Sequence, residues 1–152
     1  MTRQGFLQHL RSIENEYLTA ALSVRRLRAT ARGDHSLLRN EGLTVGDLEA
    51  CQGNLESTYV IRLFAEFEAP LRLYWRDARR RASWETINAR TLIDNVAAYQ
   101  YVPESVRDSV HEVRDFRNSL VHQSAEMGIA ALTFAQCRSS LCRFLSFLPF
   151  AW

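Results

Sequence analysis

Arg117-Asn118-Ser119-Leu120-Val121-His122 brings together three side chains that could act on a phosphodiester: a guanidinium, a carboxamide and an imidazole. They lie in a stretch that reads as an amphipathic helix from Pro103 to Gln123. On a wheel at about 100° per residue, Val106, Val110, Val113, Phe116 and Leu120 form one broad apolar arc, and Arg117 falls inside it. A guanidinium withdrawn from water is costly unless it is paired. Arg117 should therefore face a carboxylate, a subunit boundary or a bound anion, or else snorkel past Phe116 to solvent. Glu56, Glu66 and Glu68 are the acids that the pattern offers as its partner. For Glu66 and Glu68, simple pairs with Arg62 and Arg72, one turn away, compete.

His111, Asp115, Asn118 and His122 form a polar stripe on the opposite side of the wheel. A metal site is excluded there: 11 residues of helix separate His111 from His122, roughly 16 Å of axis. His111-Glu112 does not begin HExxH, because position 115 is Asp. His111 and Asp115 are expected to form a solvated pair, and His9 and His35 to be surface residues.

The elements that must position these groups are helices. Phe6, Leu10, Ile13, Tyr17, Ala20, Val24 and Leu27 recur at steps of four and three, one face of a long first helix that ends at Gly33. Thr44-Val45-Gly46-Asp47 resembles a capping box before a second long helix carrying Leu48, Leu55, Val60, Leu63, Phe67 and Leu71, which Pro70 should kink. A short piece capped at Thr91-Leu92-Ile93-Asp94 runs to about Gln100. The motif helix follows from Pro103. Thr133-Phe134-Ala135-Gln136 then opens a last helix with Leu141, Phe144, Leu145 and Leu148, stopped by Pro149. With no strand pattern, the expectation is one all-α domain over residues 1–152, an antiparallel bundle of four to five helices.

Composition narrows the classes. The 152 residues are 47% hydrophobic and 24% charged, the balance of a globular chain, with a formal net charge of only +2. All 19 basic residues are arginine, as a GC-rich genome would favour, and arginine also suits phosphate recognition. Three cysteines without a CxxC pair argue against a disulfide framework or zinc knuckle and for a reducing compartment. The N-terminus lacks an apolar signal core and FLSFLPFAW is too short to span a bilayer, so a cytoplasmic protein with no membrane association is expected. In LRLYWRDARRR, Arg72, Arg76, Arg79, Arg80 and Arg81 face a single aspartate, Asp77. That run is either an RNA phosphate-tracking patch or a solvated helix end, and Tyr74 and Trp75 fit a core better than a base-stacking platform.

Arg117-Asn118-x-x-x-His122, on a late helix of a small all-α domain, resembles the Rx4-6H motif of HEPN domains, in which a polar residue commonly follows the arginine. EVRDFRNSLVH, the capped LTFAQCRSSLCRFLSFLP helix and VIRLFAEFEAPLR extend the likeness over residues 44 to 149. The resemblance implies a HEPN-like bundle that forms a homodimer, with two motif helices facing each other across a two-fold to build one cleft. It implies metal-independent endoribonuclease chemistry without cofactor, of a toxin or defence effector, with RNA as substrate and a cognate antitoxin as a further partner. Arg117, Asn118 and His122 would be the catalytic set. Ser124 occupies the position where some antitoxin-modified members carry tyrosine, which argues against that form of regulation. On an ideal helix Arg117 and His122 diverge by about 140°, so they converge only if the helix end loosens near Gln123 or the partner supplies one of them. A catalytically silent HEPN module that binds RNA or nucleotide, or serves as an adaptor, is the alternative. A plain helical interaction domain is the third reading.

Overall fold

The computed structural model describes residues 2–34, 36–79, 87–122 and 129–152. Among the described residues six helices make an all-α bundle: α1 (Arg3–Gly33), α2 (Ser36–Arg39), α3 (Val45–Arg79), α4 (Ala89–Tyr99), α5 (Glu104–His122) and α6 (Phe134–Leu145). Five match the expected elements. The sixth, α2, is a single turn hidden in the polar segment after Gly33, where Asp34 accepts from the Ser36 N–H at 2.9 Å.

Local chemistry sets the ends. Thr2 caps α1 by accepting from the Gly5 N–H at 3.2 Å. Gly42, at φ +69°, makes the left-handed turn that lets the Leu43 N–H close back on the Leu38 carbonyl. At α3 the Thr44 hydroxyl accepts from the Asp47 N–H, while the Asp47 carboxylate accepts from the Thr44 N–H and hydroxyl at 2.8 and 2.7 Å. Those bonds hold the Asp47 carboxyl below the usual carboxylate range. A depressed folded-state value means that this cap stabilises α3 above the ordinary carboxylate pKa and is lost as pH falls through the lowered one. The Thr133–Gln136 capping box forms as expected. The cap of α4 does not: Asn88, not Thr91, starts that helix, its Oδ1 accepting from the Thr91 N–H at 2.9 Å. The helix therefore begins two residues before Thr91.

α3 is the central element and packs against α1, α4, α5 and α6. It runs as one helix through Pro70, which is buried. Its Val60, Leu63, Phe64, Phe67 and Leu71 meet Leu10 and Ile13 of α1, the valines of α5, and Phe144 and Leu145 of α6 in one fully buried core. Ala31, Leu38 and Leu48 form a second, smaller core where α2 folds back. The α1–α3 direction follows from the ion pairs along their seam. His9 meets Glu66, Glu16 meets Arg62 and Arg28 meets Glu49, so the numbering rises on one helix as it falls on the other. These exposed pairs set register more than stability, each being worth about 0–1 kcal/mol.

The C-terminal segment closes the bundle. Arg3 donates to the Ser146 and Leu148 carbonyls, both at 2.9 Å, and Trp152 stacks on Phe6 with centroids 5.4 Å apart. Among the described residues, no helix is long and apolar enough to cross a membrane.

Candidate functional site

α5 carries the motif. Val106, Val110 and Val113 are fully buried, and Phe116 and Leu120 pack at the edge of the core. Arg117 is half-buried on the same side, its Cζ 5.7 Å from the centre of the Phe64 ring. Its Nη1 donates to Asn118 Oδ1 at 3.0 Å, and its Nε is buried with no hydrogen-bond partner.

None of the three acids offered by the sequence serves it. Glu56 accepts from the Phe134 N–H at 2.7 Å, Glu66 pairs with His9 at 2.9 Å, and Glu68 pairs with Arg72 at 2.5 Å. Among the described residues no carboxylate forms an ion pair with Arg117. Among the described residues an aromatic face and one neutral amide are its partners, surroundings that suit an anion.

The Glu56 bond carries its own consequence. A carboxylate on α3 receives an orphan N–H at the start of α6, so two helices are tied by a charge-assisted bond. Glu56→Ala should lower stability by about 1.5–3 kcal/mol, read as a shift in the denaturation midpoint at unchanged slope. A change under 0.5 kcal/mol would show that the bond contributes nothing net.

His122 is the last residue of α5 and is exposed. The helix continues to His122, and Arg117 donates to Asn118 within one chain, while among the described residues no hydrogen bond joins His122 to either. Gln123, where loosening of the helix end was expected, lies outside the described residues.

The polar stripe is arranged differently from the expectation. His111 does not pair with Asp115. Its Nε2 lies 2.7 Å from Asp94 Oδ1 on α4, and Asp115 is taken by its neighbour Arg114. Packing of α4 against α5 supplies a nearer carboxylate than the helix's own next turn. His9 is exposed, the surface residue expected, and its Nε2 lies 2.9 Å from Glu66 Oε2, while His35 lies outside the described residues. No group of three metal-ligating side chains occurs among the described residues. Burial pushes the Cys137 thiol up to about 11 and raises Cys142, so neither is poised as a thiolate at neutral pH.

The basic run divides. Arg72 donates to Glu68 and to the Ile87 carbonyl at 2.8 Å, and so ties α3 to the start of α4. It is a structural contact, its charge neutralised. Arg76 is exposed and has no ion pair among the described residues, and Arg79 lies over the Trp75 ring at 4.6 Å. Arg80 and Arg81 fall outside the described residues. Tyr74 is buried against Trp152 and receives a hydrogen bond from Gln100, a core residue as expected.

Comparison with protein-family models, with curated proteins and with solved structures found no match.

Proposed function

We propose that this chain is a metal-independent endoribonuclease of the HEPN type, acting as a toxin or defence effector. The observation that carries the reading is Arg117, a half-buried guanidinium with an unpartnered buried Nε and no carboxylate within ion-pair distance among the described residues. A side chain held in that state is a ready receptor for a phosphate, and an exposed histidine ends the same helix.

The chemistry follows from RNA itself. The 2′-hydroxyl is the nucleophile, so no metal-bound water is required. An imidazole takes the 2′ proton or delivers one to the departing 5′-oxygen. The bond from O2′ to phosphorus forms, the bond from phosphorus to O5′ breaks, and the guanidinium stabilises the added negative charge between these events. The products are a 2′,3′-cyclic phosphate and a 5′-hydroxyl. About 140° separates positions 117 and 122 on an ideal helix, and in this reading the two act together with each supplied by a different subunit of a homodimer. Asn118 positions the guanidinium through the bond between them.

Purified protein incubated with RNA in EDTA should cleave it and leave 5′-hydroxyl ends that accept label from polynucleotide kinase without phosphatase treatment. Cleavage that requires Mg²⁺, or that leaves 5′-phosphates, would overturn the mechanism. Binding without cleavage would favour the silent module.

A further inference from the structure

The turn after α4 holds Tyr101 at φ +52° with 91% of its surface exposed. Two hydrogen bonds fix that conformation: the Val102 N–H closes on the Ala97 carbonyl and the Tyr101 N–H on the Ala98 carbonyl. This is a helix C-terminal turn that glycine fills without strain. A bulky aromatic is there instead, in a disfavoured backbone region and with its ring in water, so the fold gains neither burial nor relaxed geometry from it. Two residues earlier, Tyr99 is 54% exposed and sets its ring at 84° to Trp75, centroids 6.1 Å apart. The opposite end of that cluster is Arg79 over the Trp75 ring, with Arg76 exposed on the same helix.

We infer that Tyr99 and Tyr101, flanked by Arg76 and Arg79, form a single-stranded RNA platform on which bases stack while the arginines take the phosphates. The inference rests on the ribonuclease reading for its ligand and extends it to a second surface, built by the α3 and α4 C-termini rather than by α5. Charge selects the occupant: Arg72 is neutralised by Glu68, but Arg76 and Arg79 have no carboxylate partner among the described residues. Exposed rings beside unneutralised guanidinium groups match the alternation of flat bases and anionic phosphates along an unpaired strand. A folded duplex would offer only phosphates to the same face. Tyrosine at a position that favours glycine is then a binding residue retained at a cost in stability.

The test uses a fluorescent 2′-O-methyl oligonucleotide, which cannot be cleaved, so binding is read independently of turnover. The double variant Tyr99→Ala/Tyr101→Ala should weaken binding about 10-fold or more, with Tyr101→Phe close to wild type. Arg76→Gln/Arg79→Gln should instead lower the slope of log affinity against log salt by about 1.4, two phosphate contacts at ~0.7 each. Tyr101→Gly separates binding from folding: it should raise the melting temperature by about 2–4 °C while weakening the complex. Wild-type affinity in the double tyrosine variant, or no wild-type binding at low salt, would overturn the platform even if RNA is cleaved in EDTA. Equal binding of polyglutamate would reduce the face to a general acidic-polymer surface. Conversion of a dimer to a monomer by the double variant would assign the face to a second copy of the chain. Either result also overturns it.

Discussion

Replacement of His122 by alanine is expected to lower the rate of RNA cleavage about 10²–10⁴-fold, the range lost when a general acid or base is removed. Arg117→Ala should cost about 10²–10³-fold, as for a donor that stabilises charge in the transition state. The two variants differ in what they leave behind. His122 is exposed at the end of α5 and forms no hydrogen bond within the described structure, so its removal should leave stability and RNA affinity nearly unchanged. Arg117 lies over Phe64 and holds Asn118, so its loss also removes packing. Arg117→Lys separates these effects. It keeps the charge and much of the aliphatic stem but not the two-pronged contact, and should stay far below wild type in rate. Wild-type rate in His122→Ala would remove the imidazole from the mechanism. Full activity in Arg117→Lys would mean that only a point charge is needed.

The largest stability effect is expected at Phe67. This ring is fully buried, edge-on to Phe144 of α6 at 5.7 Å and tilted against Phe64 of the same helix at 5.9 Å. Phe67→Ala should destabilise by about 3–5 kcal/mol, the combined cost of lost burial and the cavity that remains. At about 2–4 °C per kcal/mol for a chain of this size, the melting temperature should fall by at least 6 °C. A loss below 1 kcal/mol would mean that the site collapses freely and that α3 is not the element around which the bundle packs. Phe64 also lies beneath the Arg117 guanidinium, so this substitution should reduce activity through the site as well as through folding.

Helices were legible in the sequence wherever periodicity and caps agreed. The spacing in α1, the Thr44–Asp47 and Thr133–Gln136 boxes and the valines of α5 each combine a local signal with a tertiary one. α2 was not legible, because a single turn has no period and the Asp34 carboxylate that accepts from the Ser36 N–H resembles an ordinary polar loop. The start of α4 was missed for a similar reason: Asn88 and Thr91 are both plausible capping residues, and only the chain path decides. Partners across helices were the least legible. His111 was matched with Asp115 because sequence spacing sees only its own helix, whereas Asp94 reaches it from α4. Glu56 is among the acids the sequence offers to Arg117, but the N-terminus of α6 takes its carboxylate, and that depends on how α3 and α6 pack. The oddity of Arg117 was visible from the wheel alone; that none of the candidate acids answers it required the three-dimensional arrangement. Tyr101 gave no signal at all, since a left-handed tyrosine is a property of the turn and not of the residue.

In the proposed dimer Arg117 and His122 complete one site from two chains, and mixing inactive variants asks whether they do. Arg117→Ala and His122→Ala are each combined, unfolded and refolded together, then assayed on RNA in EDTA. Half of the random dimers are mixed, and each of those contains one site with both residues intact. A shared site should restore about a quarter of wild-type activity from two proteins that are each inactive alone. No recovery, with mixed dimers confirmed by mass, would contradict it.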